Sequence, residues 1–153
     1  MTDFDERNKK GTRAVDETIA QLTGNNIPWS YVVHPDEWKK FDGDTFRFID
    51  KEYKKLQRFD HENGDLYVSD KRYRCDVKSD KISVKSINGF QGDYYIVWDA
   101  GRNKCIVLET AVVKAITSRD YVKLRSEDPG FQFERLKYLP HMTLDKFIKK
   151  CKE

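Results

Sequence analysis

Residues 64–78 read GDLYVSDKRYRCDVK, and this stretch constrains the structure of the chain most tightly. Two runs rich in β-forming residues flank a short polar turn at 70–71, which predicts a β-hairpin. The register of that hairpin places residue 65 opposite residue 76. Because side chains alternate between the two faces of a strand, we expect Asp65, Asp76 and Lys78 to share one face of the sheet.

Two opposed carboxylates on one sheet face repel each other, so another interaction must offset this repulsion in the folded protein. Directly opposed side chains lie about 4.5–5.5 Å apart, and like charges at that distance destabilise the pair. The repulsion is about 3 kcal/mol at an effective dielectric constant near 20. A divalent cation between Asp65 and Asp76 would remove it, and the neighbouring Lys78 can stabilise an anion. The pattern favours a metal-dependent phosphodiesterase site.

The acid-x-lysine triplet alone is not specific in so charged a chain. It occurs at 37–39, 52–54 and 76–78. The first two triplets fall in segments predicted as helix, where residues two apart do not face each other. Only the third lies on a predicted strand with a second acid across the ladder. The ordinary alternatives remain that Asp65 is a turn residue and that Asp76 pairs with a neighbouring cation on a solvated face.

Composition limits the classes of protein to which this chain can belong. The chain has 153 residues, which suits one domain, and its 13% aromatic content argues against disorder. The net charge of +3 permits nucleic-acid binding without demanding it. Three scattered cysteines and three isolated histidines support neither a disulfide framework nor a zinc site. No window is apolar enough to span a membrane, so we expect a cytoplasmic protein with no membrane partner.

The rest of the chain gives a mixed pattern of helices and strands. Residues 1–11 are predicted as a flexible terminus and residues 12–153 as a single domain. The predicted elements are a helix at 12–22, a strand at 29–33, one or two short helices within 35–60, a second strand pair at 94–99 and 105–109, and a terminal amphipathic helix at 143–151 capped by Thr143. Two segments stay open: 80–92 as a short helix or an extended connection, and 111–116 as a helical turn or a continued strand.

A family resemblance follows from these residues. Asp65, then ten residues, then Asp76-Val77-Lys78 on a hairpin resembles the core motif of the PD-(D/E)XK nuclease superfamily, with Gly64 where the motif name has proline. Residues 10–17, KGTRAVDE, are similar to the start of archaeal Holliday-junction resolvases. The resemblance implies an α/β fold, a restriction-endonuclease-like α/β/α sandwich with a central mixed sheet.

The resemblance also implies roles for the residues of the hairpin. Asp65, Asp76 and the carbonyl of Val77 would bind a metal ion, usually Mg²⁺ with Mn²⁺ as a substitute. Lys78 would assist the attacking water. These roles make Asp65, Asp76 and Lys78 the expected catalytic residues.

The family places a further acidic residue on a helix before the hairpin. In a gapless alignment that acid falls on Val15, so we compared the two acids that follow it. With 100° per residue, Asp16 lies about 90° from the apolar stripe of the helix and Glu17 nearly opposite the stripe. Asp16 is therefore the preferred additional metal ligand, with Glu17 as the alternative.

Together these expectations describe a Mg²⁺-dependent endonuclease that hydrolyses phosphodiester bonds of nucleic acid, with DNA as the expected substrate and a homodimer as the default assembly. The alternative of another class is a non-catalytic nucleic-acid- or protein-binding module on a similar α/β scaffold. A third is a structural component of a virion or complex.

Overall fold

The structure, a computed structural model, describes residues 3–41, 50–117 and 130–153. The helices in these ranges are α1 (Asp3–Gly24), α2 (Pro35–Lys39), α3 (Lys51–Asn63), α4 (Val84–Gly89), α5 (Thr110–Thr117), α6 (Phe133–Leu136) and α7 (Leu144–Cys151). The strands are β1 (Trp29–Tyr31), β2 (Leu66–Val68), β3 (Tyr73–Ser79), β4 (Lys81–Ser83), β5 (Tyr94–Asp99), β6 (Lys104–Glu109), β7 (Gly130–Gln132) and β8 (Met142–Thr143).

The predicted hairpin has the predicted register. Strands β2 and β3 are antiparallel, with Leu66 opposite Cys75 and Val68 opposite Tyr73. The paired residues of the two strands begin at Leu66, so the predicted pairing of residue 65 with residue 76 is not among them. Asp65 lies just before β2, and its N–H donates to the Cys75 carbonyl at 3.0 Å. The turn residues 69–71 all have positive φ, of 61°, 55° and 67°. This left-handed backbone matches the right-handed twist of the two strands that the turn joins.

The hairpin belongs to a central mixed sheet. The sheet has six strands in the order β1-β2-β3-β5-β6-β8. Strands β3 and β5 are parallel, and the other neighbouring pairs are antiparallel, including the predicted pair β5–β6. Strands β4 and β7 form a separate two-stranded sheet. The chain is thus a mixed α/β structure with a mixed sheet flanked by helices, as the sequence predicts.

Helices cover both faces of the sheet. We call the face that carries Cys75 and Val77 the first face, and the face that carries Asp76 and Lys78 the second face. On the first face, α1 and α7 pack over a core that contains Leu22, Leu66, Val68, Cys75, Val77, Ile96, Trp98, Val107, Phe147 and Ile148. On the second face, α4, α5 and α6 cover a core that contains Ile82, Ile87, Phe90, Tyr95, Val97, Ile106, Leu108, Val113, Phe131 and Leu136.

Several elements differ in extent from the sequence prediction. Helix α1 begins at Asp3 and not at Thr12. The open segment 80–92 contains both a strand, β4, and a helix, α4, while 111–116 belongs to helix α5. The short helices expected within 35–60 are α2 and α3, and residues 42–49 lie outside the described ranges.

The terminal helix begins as predicted. The Thr143 hydroxyl caps α7 by accepting the Lys146 N–H at 3.2 Å. The apolar positions of α7 are buried against the first face, which is why the helix forms there. Within the described ranges, no helix combines the length and apolar character that a membrane span requires.

Candidate active site

Gly64 joins helix α3 directly to the hairpin. Its N–H donates to the Asp60 carbonyl at 2.7 Å, which closes the last turn of the helix. Its φ of +85° lies in a region that is nearly restricted to glycine. Proline, which fixes φ near −65°, could not adopt this conformation, so glycine at this position of the motif has a structural reason. The tight junction places Asp60 and Asp65 close to each other.

The hairpin brings Asp65 and Asp76 together. The Asp65 backbone N–H donates to the Cys75 carbonyl at 3.0 Å, and Asp65 Oδ2 accepts the Val77 N–H at 2.8 Å. Burial raises the pKa of Asp65 well above its usual range, and the charge of Asp76 and a side-chain hydrogen bond to it raise this pKa further. Asp65 therefore keeps its proton at pH values where an isolated aspartate is ionised.

Lys78 lies beside this carboxylate pair. Its Nζ is 3.1 Å from Asp76 Oδ2, and its side chain is 30% exposed while that of Asp76 is 8% exposed. Burial acts to lower the pKa of Lys78, but the charges of Asp76 and Asp65 outweigh it, and the net pKa is raised. Lys78 is therefore an ammonium ion at neutral pH. It can stabilise negative charge or orient a water molecule, but it cannot serve as a general base.

A third acid, Asp60, completes the charged cluster. Burial first, and the charge of Asp76 second, raise the pKa of Asp60 to about 7, against the opposing charge of Lys78. Sequence reasoning missed Asp60 because the segment 35–60 has no clear period. The signal that could have found it is the Asn63-Gly64 helix end, since an acid one turn before that end must lie near Asp65.

Two buried hydroxyl groups, those of Ser86 and Tyr95, form a hydrogen-bond chain that ends at Asp76. Ser86 Oγ, on α4, donates to Asp76 Oδ2 at 3.2 Å. Tyr95 OH, on β5, lies 3.2 Å from Ser86 Oγ, and since the single Ser86 proton points to Asp76, the tyrosine is the donor of this second bond. Ser86 is 1% exposed and Tyr95 is fully buried. Burial, the largest influence, raises the pKa of Tyr95, so the hydroxyl keeps its proton.

The structure does not bring Asp16 into this cluster. Asp16 is exposed on α1, which packs on the first face, whereas Asp76 and Lys78 lie on the second face. Its neighbours along a surface groove are residues of the same helix, among them Arg13 and Glu17.

The angular argument was wrong about these two acids: Asp16 is exposed, whereas Glu17, which it placed nearly opposite the apolar stripe, is half-buried. The buried stripe of α1 runs through Ala14, Thr18 and Leu22, and residue 16 lies nearly opposite it. The angular argument also could not tell which face of the sheet the helix would cover.

The donor set fits a hard cation that needs few protein ligands. Within the described residues, no group of three or more Asp, Glu, His and Cys side chains is arranged to hold a metal ion. The Asp65–Asp76 pair offers two carboxylates, and Mg²⁺ characteristically binds through one or two carboxylates while keeping several waters. A cation bound between these two groups would relieve the repulsion of their charges. The residues present therefore suit Mg²⁺ or Mn²⁺ better than a cation that requires a full protein cage.

Comparisons with known proteins assign this chain to no family. No protein-family model, no curated protein and no solved structure matches this chain. The resemblance to the PD-(D/E)XK nucleases stays a prediction that depends on the hairpin motif.

Proposed function

We propose that this chain is a Mg²⁺-dependent nuclease that hydrolyses phosphodiester bonds, with DNA as its substrate. The observation that carries the proposal is the side-chain contact of Asp65 with Asp76, together with the Lys78 ammonium 3.1 Å from Asp76 Oδ2. Two carboxylates that repel each other and a fixed cation beside them form an arrangement suited to a divalent ion and a phosphate.

Asp65, Asp76 and the Val77 carbonyl would hold the metal ion. The Val77 N–H points to Asp65, and because the N–H and C=O of a strand residue point to the same side, its carbonyl faces that side too. When bound, Mg²⁺ supplies Lewis-acid polarisation of the phosphate and a more acidic water. Lys78 stabilises the negative charge that develops on the phosphoryl oxygens.

Asp60 is the residue suited to take up a proton. In hydrolysis the water oxygen bonds to phosphorus, the bond from phosphorus to the leaving sugar oxygen breaks, and the water proton must go to a base. A general base works best with a pKa near the working pH, and the pKa of Asp60 is about 7. Lys78 cannot fill this role because it stays charged.

The first test is metal-dependent stability. We expect 10 mM Mg²⁺ or Mn²⁺ to raise the melting temperature by about 5–10 °C at saturations near 100 times Kd, and chelation to reverse the rise. Asp65→Asn and Asp76→Asn should abolish the shift because each removes a ligand charge. Asp16→Asn, an equal change at the exposed site on α1, should keep it and is the matched control.

The second test is cleavage of supercoiled plasmid and of labelled single-stranded and duplex oligonucleotides. We expect nicking with Mg²⁺ that is lost in Asp65→Asn, Asp76→Asn and Lys78→Gln, and retained in Asp16→Asn. Nicking that persists in all three site variants would assign the activity to a contaminant or to another site and would contradict the proposal.

A second candidate function is a non-catalytic binding module. It is favoured by the side-chain hydrogen bond between Asp65 and Asp76, because such a pair can serve as a structural contact without metal. If the chain is a binding module, divalent ions should leave its melting temperature unchanged, and no variant should cleave nucleic acid. The metal titration therefore separates the two functions in a single experiment.

A further inference from the structure

A groove leads away from Lys78 along one end of the sheet. It has a volume of about 400 Å³ and lies between the N-terminal half of α1, the end of β3 and the two-stranded sheet β4–β7. Lys78 lines this groove, and its Nζ lies 3.1 Å from Asp76 Oδ2, so this side chain connects the groove to the candidate active site. A substrate bound at Lys78 would extend into it.

The groove is positively charged. Three lysines line it, Lys10, Lys78 and Lys81, against one acid, Asp80. The acid is already engaged: its Oδ1 accepts the Ala100 N–H at 2.9 Å and its Oδ2 lies 3.7 Å from Lys10 Nζ. Lys78 is in turn paired with Asp76, so the three lysines and the two acids beside them leave one net positive charge, which favours an anionic ligand.

The floor of the groove is fixed before any ligand binds. Asp80 has a φ of 69° at the tight connection between β3 and β4. Its backbone N–H donates to the Trp98 carbonyl at 2.7 Å, and its carbonyl accepts the Phe133 N–H at 2.7 Å. These bonds tie the connection to the central sheet and to α6. A preformed groove lowers the ordering cost of binding.

The other lining groups are small and polar. Ser83 and Gln132 offer neutral hydrogen-bond donors, and the Ser79 hydroxyl is buried with no hydrogen-bond partner within the described residues. None of the described residues that line the groove is aromatic. Base stacking requires aromatic surfaces, whereas lysines and hydroxyls contact phosphate and sugar. The chemistry of this lining therefore selects the backbone of a nucleic acid and not its bases.

We propose that this groove binds the phosphate backbone of the strand that flanks the scissile bond, without regard to sequence. The inference rests on the proposed nuclease function, which it extends by naming the mode of substrate recognition. It makes the chain a nuclease whose substrate contacts are electrostatic.

The test measures binding of a fluorescein-labelled single-stranded oligonucleotide by anisotropy, in EDTA so that no cleavage occurs, at 50–200 mM KCl. We expect Lys10→Gln and Lys81→Gln each to reduce the slope of log K against log salt by about 0.7 and to weaken binding about fivefold at 0.1 M salt. Lys149→Gln, the same charge change on the exposed side of α7, is the control and should change neither. Oligonucleotides of different sequence should bind equally.

The outcomes separate this inference from the function on which it rests. Unchanged binding in Lys10→Gln and Lys81→Gln, or an equal loss in Lys149→Gln, overturns the groove even if Mg²⁺-dependent nicking is observed. A strong preference for one sequence also overturns it. Groove-dependent binding without any metal-dependent stabilisation or cleavage supports the groove and rejects the nuclease, leaving the binding module.

Discussion

At the scale of single residues, Gly64 forms the junction between the C-terminal end of α3 and the hairpin. It ends α3, starts the hairpin and sets the direction of Asp65. A Cβ at this position would lie 2.7 Å from the Cys75 carbonyl oxygen and 2.8 Å from a Phe90 ring carbon. Both neighbours are buried, so neither can move away freely. The position therefore excludes every side chain, for reasons of both φ and space.

We expect Gly64→Ala to lower the free energy of unfolding by about 2–4 kcal/mol, which combines backbone strain with overpacking. Urea unfolding measures the loss. Gly11→Ala is the matched control: Gly11 lies within α1 with nothing within 4 Å of an added Cβ. That change should raise stability by roughly 0.5–1 kcal/mol. Similar results from both variants would mean that Gly64 has no special backbone role.

At the scale of elements, the site depends on three elements that meet behind Asp76. Strand β3 carries the acid, helix α4 carries Ser86 and strand β5 carries Tyr95. The parallel pairing of β3 with β5 places Tyr95 directly beside Asp76. Tyr95 donates to Ser86 and Ser86 donates to Asp76, and this chain of two hydrogen bonds orients the carboxyl group.

We expect Ser86→Ala to weaken Mn²⁺ binding about 10- to 100-fold, the usual cost of losing a group that orients a metal ligand. Tyr95→Phe should produce a smaller loss, because Ser86 keeps its bond to Asp76. Direct Mn²⁺ titration by electron paramagnetic resonance measures both without relying on activity.

Tyr94→Phe provides the control for this chain of donors. Tyr94 precedes Tyr95 on β5 and packs on the first face, away from Asp76. Its substitution should leave Mn²⁺ affinity unchanged. Affinities that fall equally in Tyr94→Phe and Tyr95→Phe would show a general loss of folding, and the orienting role would be rejected.

The sequence predicts the individual helices and strands well, but it predicts poorly which of them pack against each other. The hairpin register follows from two β-forming runs and a short turn, all within one segment, and the structure confirms it. The cap of α7 is equally local. By contrast, the contribution of Ser86 depends on a helix inside an ambiguous segment, and that of Tyr95 on a parallel pairing that no local pattern specifies.

The third acid illustrates the same difference. Helix periodicity predicts Asp16 at the edge of the apolar stripe of α1, but the structure has it exposed, and only packing decides that α1 covers the first face. Asp60 lies near Asp65 and Asp76 because α3 ends against the hairpin.

At the scale of the whole molecule, the central sheet separates two cores of different character. The first-face core is apolar apart from a few buried groups, such as the Trp98 Nε1–H that donates to Thr18 Oγ1 at 2.8 Å. The second face encloses the acids beside its apolar core. The burial of charged groups, which costs free energy of folding, is therefore concentrated in the acidic cluster on the second face.

This cost predicts a pH dependence of stability. The pKa of Asp60 rises from 3.8 to about 7 on folding, so between these values the native state binds more protons than the unfolded state. The free energy of unfolding then falls as pH rises, by up to about 1.4 kcal/mol per pH unit for this group. Its contribution is complete below pH 3.8 and is lost as pH passes 7.

We expect urea unfolding in EDTA to show decreasing stability from pH 4.5 to 7.5, and Asp60→Asn to flatten the decrease. Asp16→Asn should leave the slope unchanged. Mg²⁺ should restore stability at pH 7.5 because it replaces the protons that the acids lose. Stability that rises over this range in EDTA would contradict the buried cluster.

The junction at Gly64 has one more consequence. Asp60, Asp65, Asp76 and Lys78 all lie between residues 60 and 78, so a single short stretch of the gene encodes the four charged groups that the described part of the chain brings to the site. Recombination or deliberate grafting could transfer that stretch as a unit into another protein. The recipient would acquire these charged groups without Ser86 and Tyr95. It would then need a hydroxyl group of its own to donate a hydrogen bond to the aspartate that corresponds to Asp76.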